Sequence, residues 1–293
     1  MLSGGVDEGP LCFLHVPKTA GTSISQALKA ALGVDALSPR RMEASHFCCF
    51  DAFDRLPPQV RDQIAATDAE VRALGGFRVI AGHFMLPTLR RFAPPARVAT
   101  ALREPRARLL SHYVYLRTVV PLRTLWGAYG IHRKAEGSLA DFLADASAAT
   151  LIDNKVCRML LGDDPRIRDG VFIADEDLES IAQAALERLE ELGFVGLMED
   201  RDAMWRGLSD HFGAELRPVR LNVTGAGEAW PGMLPLPPLG GEGTLELLDR
   251  RTEGDAILYR AVAAQARGGE AGARRCADAA FAEQLVRYGA FTA

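Results

Sequence analysis

The sequence predicts an α/β fold with a mainly parallel central sheet flanked by helices. Three observations carry this prediction. Short apolar runs of strand length alternate with longer segments of helical period, the first run passes through a Pro/Gly-containing turn straight into a helical pattern, and a proline opens the segment behind the third run. Leu11 to Val16 (LCFLHV) is the first run, and with Ser23 to Leu32 it reads as strand, tight loop, helix. Pro57 to Leu74 reads as one helix and Phe77 to Gly82 (FRVIAG) as a second buried strand. Arg97 to Leu102 (RVATAL) is the third, after which Pro105 takes the first-turn position that proline tolerates. Ser138 to Asp145, Leu151 to Leu161 and the strongly periodic Glu176 to Leu192 read as helices, and Phe194 to Met198 as a fourth strand. Helices over Gly254 to Arg267 and Ala273 to Tyr288 close the chain. Met1 to Pro10 reads as a flexible lead, and Asn222 to Thr244, rich in Gly and Pro, is too long for a simple connector and reads as a working loop or a disordered stretch. No repeat or linker composition divides the chain, so residues 1–293 are expected to form a single domain.

Composition removes several function classes. A formal net charge of −4 argues against a generic nucleic-acid or membrane-surface binder, which needs a basic balance or a basic run. No stretch reaches the ~18 apolar residues of a membrane span, and Met1 to Pro10 has neither a basic region nor an apolar signal core, so a cytoplasmic location is expected. The five cysteines, with Cys48 and Cys49 adjacent and no C-x-x-C, indicate reduced thiols rather than a disulfide framework or a zinc site. No histidine pair has metal-ligand spacing, and no metal is expected. Nothing in the pattern specifies an oligomeric state.

The residues that point to chemistry are Pro17, Lys18, Thr19, Ala20, Gly21, Thr22 and Ser23 (PKTAGTS), lying between the first strand and the first helix. Such a loop gathers backbone N–H groups and a helix N-terminus around one anion, while Gly21 allows close approach and Lys18 adds a point charge. It suits phosphate or sulfate. The nucleotide loop G-x-x-x-x-G-K-[ST] and the dinucleotide pattern G-x-G-x-x-G are both absent, which disfavours an ATP or GTP hydrolase. The plain alternative is a solvated turn lysine beside a Thr22 or Ser23 helix cap.

HVPKTAGTS resembles the 5′-phosphosulfate loop of sulfotransferases that use 3′-phosphoadenosine 5′-phosphosulfate (PAPS), in the branch containing the heparan and chondroitin O-sulfotransferases. Arg103 and, eight residues on, Ser111 lie in LREPRARLLSHY, which is similar to the family's 3′-phosphate site in residue types and spacing. A guanidinium at a strand's C-terminal end and a hydroxyl two turns into the next helix can grip one phosphate, although alone each reads as an ordinary surface arginine and helix serine. His83, at the end of FRVIAG, stands at the sheet edge where open α/β folds bind ligands, and AGHF resembles the segment of the uronyl 2-O-sulfotransferases whose histidine is the proposed base. A structural hydrogen-bonding role is its plain alternative. Further along, DNKVCRMLLG, FVGLMEDRDAMWRGLSDHFG and RLNVT are similar to later family segments, so the resemblance covers about residues 11 to 224.

The resemblance implies the P-loop-like sulfotransferase fold and an enzyme that moves a sulfuryl group from PAPS to a hydroxyl acceptor, a carbohydrate or small metabolite, releasing 3′-phosphoadenosine 5′-phosphate (PAP). It implies that Thr19 to Ser23 hold the 5′-phosphosulfate, Arg103 and Ser111 the 3′-phosphate, that His83 is the base and that Lys18 offsets charge on the leaving oxygen. His15 is expected to orient the loop, His112 to point elsewhere, and His132 and His211 to lie at the surface. Arg158, Asn222 and Thr224 are candidates for either ligand contact or packing, and His46 for either the acceptor or packing. Animal members carry an N-terminal membrane anchor and none is expected here, so their location and polysaccharide substrates are not carried over. An anionic acceptor would suit Arg90-Arg91, Arg103 to Arg108 and Arg117 to Arg133, whereas an apolar one would use Trp126 and Trp230. Two rival readings stay open: a nucleotide-dependent kinase with an unusual phosphate loop, and a nucleotide-binding module without catalysis.

Overall fold

A computed structural model describes residues 9–44, 56–118, 131–218 and 236–290. His46, Cys48, Cys49, Trp126, Asn222, Thr224 and Trp230 lie outside the described residues, as does most of the 1–10 lead. The strands are β1 (Leu11–Leu14), β2 (Met42–Glu43), β3 (Ile64–Ala65), β4 (Val79–Gly82), β5 (Val98–Leu102) and β6 (Phe194–Leu197). Four of them form one parallel sheet in the order β4-β1-β5-β6, in which Phe13 of β1 stands opposite Ala81 on one side and Ala99 on the other.

Side chains alternate across this sheet, as strand geometry requires. Cys12, Leu14, Ile80, Val98 and Leu102 enter a core with the helices Lys155–Leu160, Asp175–Glu190 and Glu253–Arg267. Phe13, Val79, Ala81, Ala99 and Ala101 enter the opposite core with α1 (Gly21–Leu32) and the helix Arg201–Phe212. Both faces are therefore covered, which is why the strands read as near-continuous apolar runs. A third cluster joins Leu109, Leu110 and Tyr113 of the helix Pro105–Thr118 to Phe142, Leu248 and Tyr288. No described helix is long and apolar enough to cross a membrane.

The strand order fixes where a ligand belongs. The chain leaves β1 toward the β4 side and leaves β5 toward β6, so the connections diverge at the C-terminal ends of β1 and β5. That divergence is the switch point where open α/β sheets form a crevice. PKTAGTS follows β1 and Arg103 follows β5, so both border it.

Three sequence expectations need correction. Pro57 to Leu74 is not one helix but Pro58–Arg61, then β3, then Asp68–Ala73. The Arg40 guanidinium donates to the carbonyls of Arg61 and Ile64, drawing them out of helical pairing, and the wholly buried Ile64 pairs with β2. Thr67 then restarts the helix in a capping box with Glu70. Leu151 to Leu161 is likewise split, because Asn154 adopts a left-handed backbone (φ 44°) and donates its N–H to the carbonyl of Arg251. The Gly/Pro-rich stretch ends earlier than Thr244, since a helix starts at Glu242.

β4 ends on Gly82, where a Cβ would stand 2.2 Å from the backbone oxygen of Arg41. That oxygen also accepts the N–H of His83 at 2.7 Å. Gly82→Ala should therefore cost about 1–3 kcal/mol of stability in urea unfolding; an unchanged midpoint would mean that the Arg41 segment simply moves aside.

Candidate functional site

The loop after β1 is shaped around one imidazole. Lys18 (φ 68°) and Ala20 (φ 60°) take the left-handed conformation, and Thr19, wholly buried, donates its hydroxyl to the carbonyl of Val16 at 2.8 Å. A Cβ on Gly21 would fall 1.8 Å from Cδ2 of His15, so glycine is the residue this packing admits. The start of α1 carries no side-chain cap. A helix N-terminus in that state, reached through a turn of left-handed residues, presents N–H groups and a positive dipole end to an anion.

Lys18 ties the loop to the β5 corner. Its carbonyl lies 3.5 Å from Nη1 of Arg103, and its ammonium sits 4.1 Å from the ring centre of Tyr115. Tyr115 is one helical turn beyond Ser111, which is itself buried. Burial, and then the neighbouring Arg103 charge, push the Lys18 ammonium down to about 7. A cation held that close to losing its proton is a site where an anion is missing electrostatically. Arg103 is also held by Gln284, whose Oε1 accepts from Nη2 at 2.6 Å. Burial lowers Arg103, while the Glu199 charge works against that.

His83 follows β4 at the same sheet edge. Its Nδ1 is 2.7 Å from the carbonyl of His15, and the two imidazoles stack with centres 4.0 Å apart. A carbonyl only accepts, so Nδ1 carries the proton and the lone pair resides on Nε2. Burial drives the imidazole down to about 4, outweighing the His15 hydrogen bond, which favours the charged form. Near neutral pH His83 is thus an uncharged ring, less basic than an ordinary imidazole.

More positive charge surrounds this edge than the sequence suggested. Lys155 is wholly buried, and its charge contributes to lowering both His83 and His112. His112 does not point away from the site as expected: it is buried, its Nδ1 has no hydrogen-bond partner among the described residues, and it feels Arg108, Lys18 and His83. His15 keeps its expected place beside the loop. His211 is half-buried, with Nε2 3.3 Å from the Arg97 carbonyl, rather than a surface residue. Gln284, Tyr115 and Lys155 were not singled out from the sequence, because each sits in an unremarkable helical pattern and only tertiary packing brings it here.

Several basic residues proposed for the acceptor have other tasks. Arg158 is buried against Asp153 at 2.6 Å and donates to the carbonyls of Arg168 and Val171, a packing role. Arg108 pairs with the buried Asp255 at 3.5 Å, and Arg106 lies 2.8 Å from Glu104. Arg117 donates to the carbonyls of Ala135, Glu136 and Gly137. Arg90 and Arg91 stand at the other end of the sheet, away from His83, with residues that precede the strands.

Folded-state depression of His83 from 6.5 to about 4 makes stability pH-dependent. Below 6.5 the unfolded chain gains a proton that the folded chain refuses until about 4, so stability falls across that window as pH is lowered. The thermal midpoint should fall from pH 6.5 to 4, and less steeply in His83→Asn; equal slopes would remove His83 from the account. No family model matches the chain, and no curated protein matches it.

Proposed function

We propose that the protein is a PAPS-dependent sulfotransferase with the P-loop-like sulfotransferase architecture, acting on a hydroxyl acceptor. The observation that carries this reading is the contact between Lys18 and Arg103 at the divergence of β1 and β5, with His83 at the neighbouring strand end. Arg103 reaches the backbone carbonyl of Lys18, and its charge acts on the Lys18 ammonium, so two cationic side chains from segments 85 residues apart border one corner, an arrangement that suits the two phosphate ends of one adenosine cofactor. The residues fit such a ligand. Burial lowers both Lys18 and Arg103, and a phosphate beside each would favour its charged form.

PAPS, when bound, supplies the sulfuryl group and departs as PAP. In this reading the turn at Thr19 to Ser23 and the start of α1 hold the 5′ end, and Arg103 with Ser111 grips the 3′-phosphate. Nε2 of His83 takes the acceptor's hydroxyl proton as the new S–O bond forms. Lys18, protonated beside the anion, offsets charge on the bridging oxygen as the old S–O bond breaks. Gln284 is a positioning residue: with the Lys18 carbonyl it fixes the plane of the Arg103 guanidinium and leaves that side chain's remaining donors for a phosphate.

Titration calorimetry with PAP and with ATP tests the reading. PAP should bind and ATP should not; the reverse would favour the kinase reading, and no heat from either would end both. Arg103→Ala should weaken PAP by about 10- to 100-fold, the worth of a charge-assisted pair. His83→Ala should keep PAP affinity yet lose at least about 100-fold in transfer rate from PAPS; PAP binding without any transfer by the unmutated chain would support a module without catalysis.

Two finer outcomes follow from the geometry. Because Lys18 sits at about 7, PAP affinity should decline as pH rises through that value, and Lys18→Ala should flatten the curve. Gln284→Leu should weaken PAP by about 3- to 10-fold, the scale of one neutral hydrogen bond, with the maximal transfer rate retained; tighter binding would instead mark Gln284 as a competitor for Arg103.

A further inference from the structure

We propose that the N-terminal edge of the sheet carries a second anion site, built for a small ligand bearing two or more phosphate or sulfate groups. A cavity of about 950 Å3 opens there, lined by Arg78, Arg90, Arg91 and Arg97 and, among the described residues, by no carboxylate. Its location follows from the strands. Arg78 immediately precedes β4, Arg97 immediately precedes β5, and Pro10, also at the wall, immediately precedes β1. The loop of Lys18 leaves the opposite end of β1, about 13 Å away at 3.3 Å per residue. The two sites are thus separate, and the second stands whether or not the transfer reading does.

Charge is the first argument. Four guanidiniums border one concavity, and the two carboxylates paired with Arg90 and Arg91 neutralise little. Glu191 is 3.8 Å from Arg90 and Asp68 is 3.6 Å from Arg91, and all four side chains are more than a third exposed. Ion pairs of that length and exposure contribute ~0–1 kcal/mol, and each engages one nitrogen of a group with five donors. Such a ring of like charge focuses potential into the hollow and draws in an anion.

Shape is the second. The volume falls within the ~300–1,000 Å3 range of small-molecule sites. Gly75 and Gly76 open one wall: a Cβ on Gly76 would meet nothing within 4 Å, and one on Gly75 would touch only the ring of Phe92 at 3.0 Å. Arg97 is steadied at the rim, with Nε 3.4 Å from the Pro10 carbonyl. Each guanidinium can grip an oxyanion with two parallel N–H groups, so four arranged around a hollow match several charged groups better than one. Arg90 and Arg91 therefore serve this pocket rather than the acceptor beside His83.

Inorganic tripolyphosphate is the probe. Titration calorimetry uses the full chain carrying Arg103→Ala, which weakens the loop site, so that dependence on Arg90 and Arg91 reports the second one. Binding should persist there and weaken at least about tenfold when Arg90→Ala and Arg91→Ala are added, with inorganic phosphate much weaker throughout. A disulfated disaccharide in parallel distinguishes a sulfate-bearing from a phosphate-bearing ligand by which of the two binds tighter. Arg78→Ala, a single exposed change, gives an independent reading and should cost several-fold without moving the thermal midpoint. Absence of tripolyphosphate binding in the Arg103→Ala chain, or affinity unchanged by removal of Arg90 and Arg91, overturns the proposal.

Discussion

The contact on which the site depends is that between His15 and His83, side by side at the ends of β1 and β4. The carbonyl of His15 fixes the Nδ1 proton of His83, and its ring covers the His83 imidazole face to face. The same ring fills the space where a Gly21 side chain would begin. One residue thereby sets the tautomer of the candidate base and the path of the anion loop. The loop answers with two left-handed residues, a local strain on the order of 1–3 kcal/mol each for non-glycine positions, sustained by the buried Thr19 hydrogen bond and by the packing around it.

Electrostatics at this edge are those of a site with an unmet demand for negative charge. Lys18, Arg103, Lys155, Arg108 and three imidazoles crowd one region, and burial lowers Lys18, Arg103, Arg108 and the imidazoles of His15, His83 and His112. Among the described residues the carboxylates that answer are Asp255, Glu104, Glu199 and, at Arg103, Glu283, and burial raises the carboxyls of the first three in turn. Asp255 is already committed. It pairs with Arg108 and accepts the N–H groups of Val156 and Cys157, while Asn154 Oδ1 accepts those of Gly254 and Asp255. Two helix starts cap each other in the layer behind the site, which makes that layer a rigid backing.

Much of the architecture was legible in the chain itself. Leu11–Leu14, Val79–Gly82, Val98–Leu102 and Phe194–Leu197 are strands because continuous apolar runs bounded by turn residues suit a sheet buried on both faces. The proline at the start of the Pro105–Thr118 helix and the PKTAGTS turn before Gly21–Leu32 were equally readable. The breaks were not, for different reasons. The capping box of Thr67 and Glu70 was present as a signal but was overridden by the helical period of its surroundings, whereas the Arg40 bonds that open the segment come from far off in sequence. In the site, loop residues and strand-end residues carried local signatures. Gln284, Tyr115, Lys155 and the inward turn of His112 did not, since a helical period states which face is covered and not what covers it.

The bond between Arg103 and Gln284 spans 181 residues, and the Arg103–Lys18 contact another 85. During synthesis the loop after β1 and the β5 corner leave the ribosome long before the helix Glu270–Gly289 exists. The guanidinium must therefore wait, with its plane unset, until position 284 has emerged and docked. A nascent chain caught before that moment would own every strand of the sheet and still lack an aimed arginine, so the arrangement around Arg103 arrives late and all at once rather than growing with chain length.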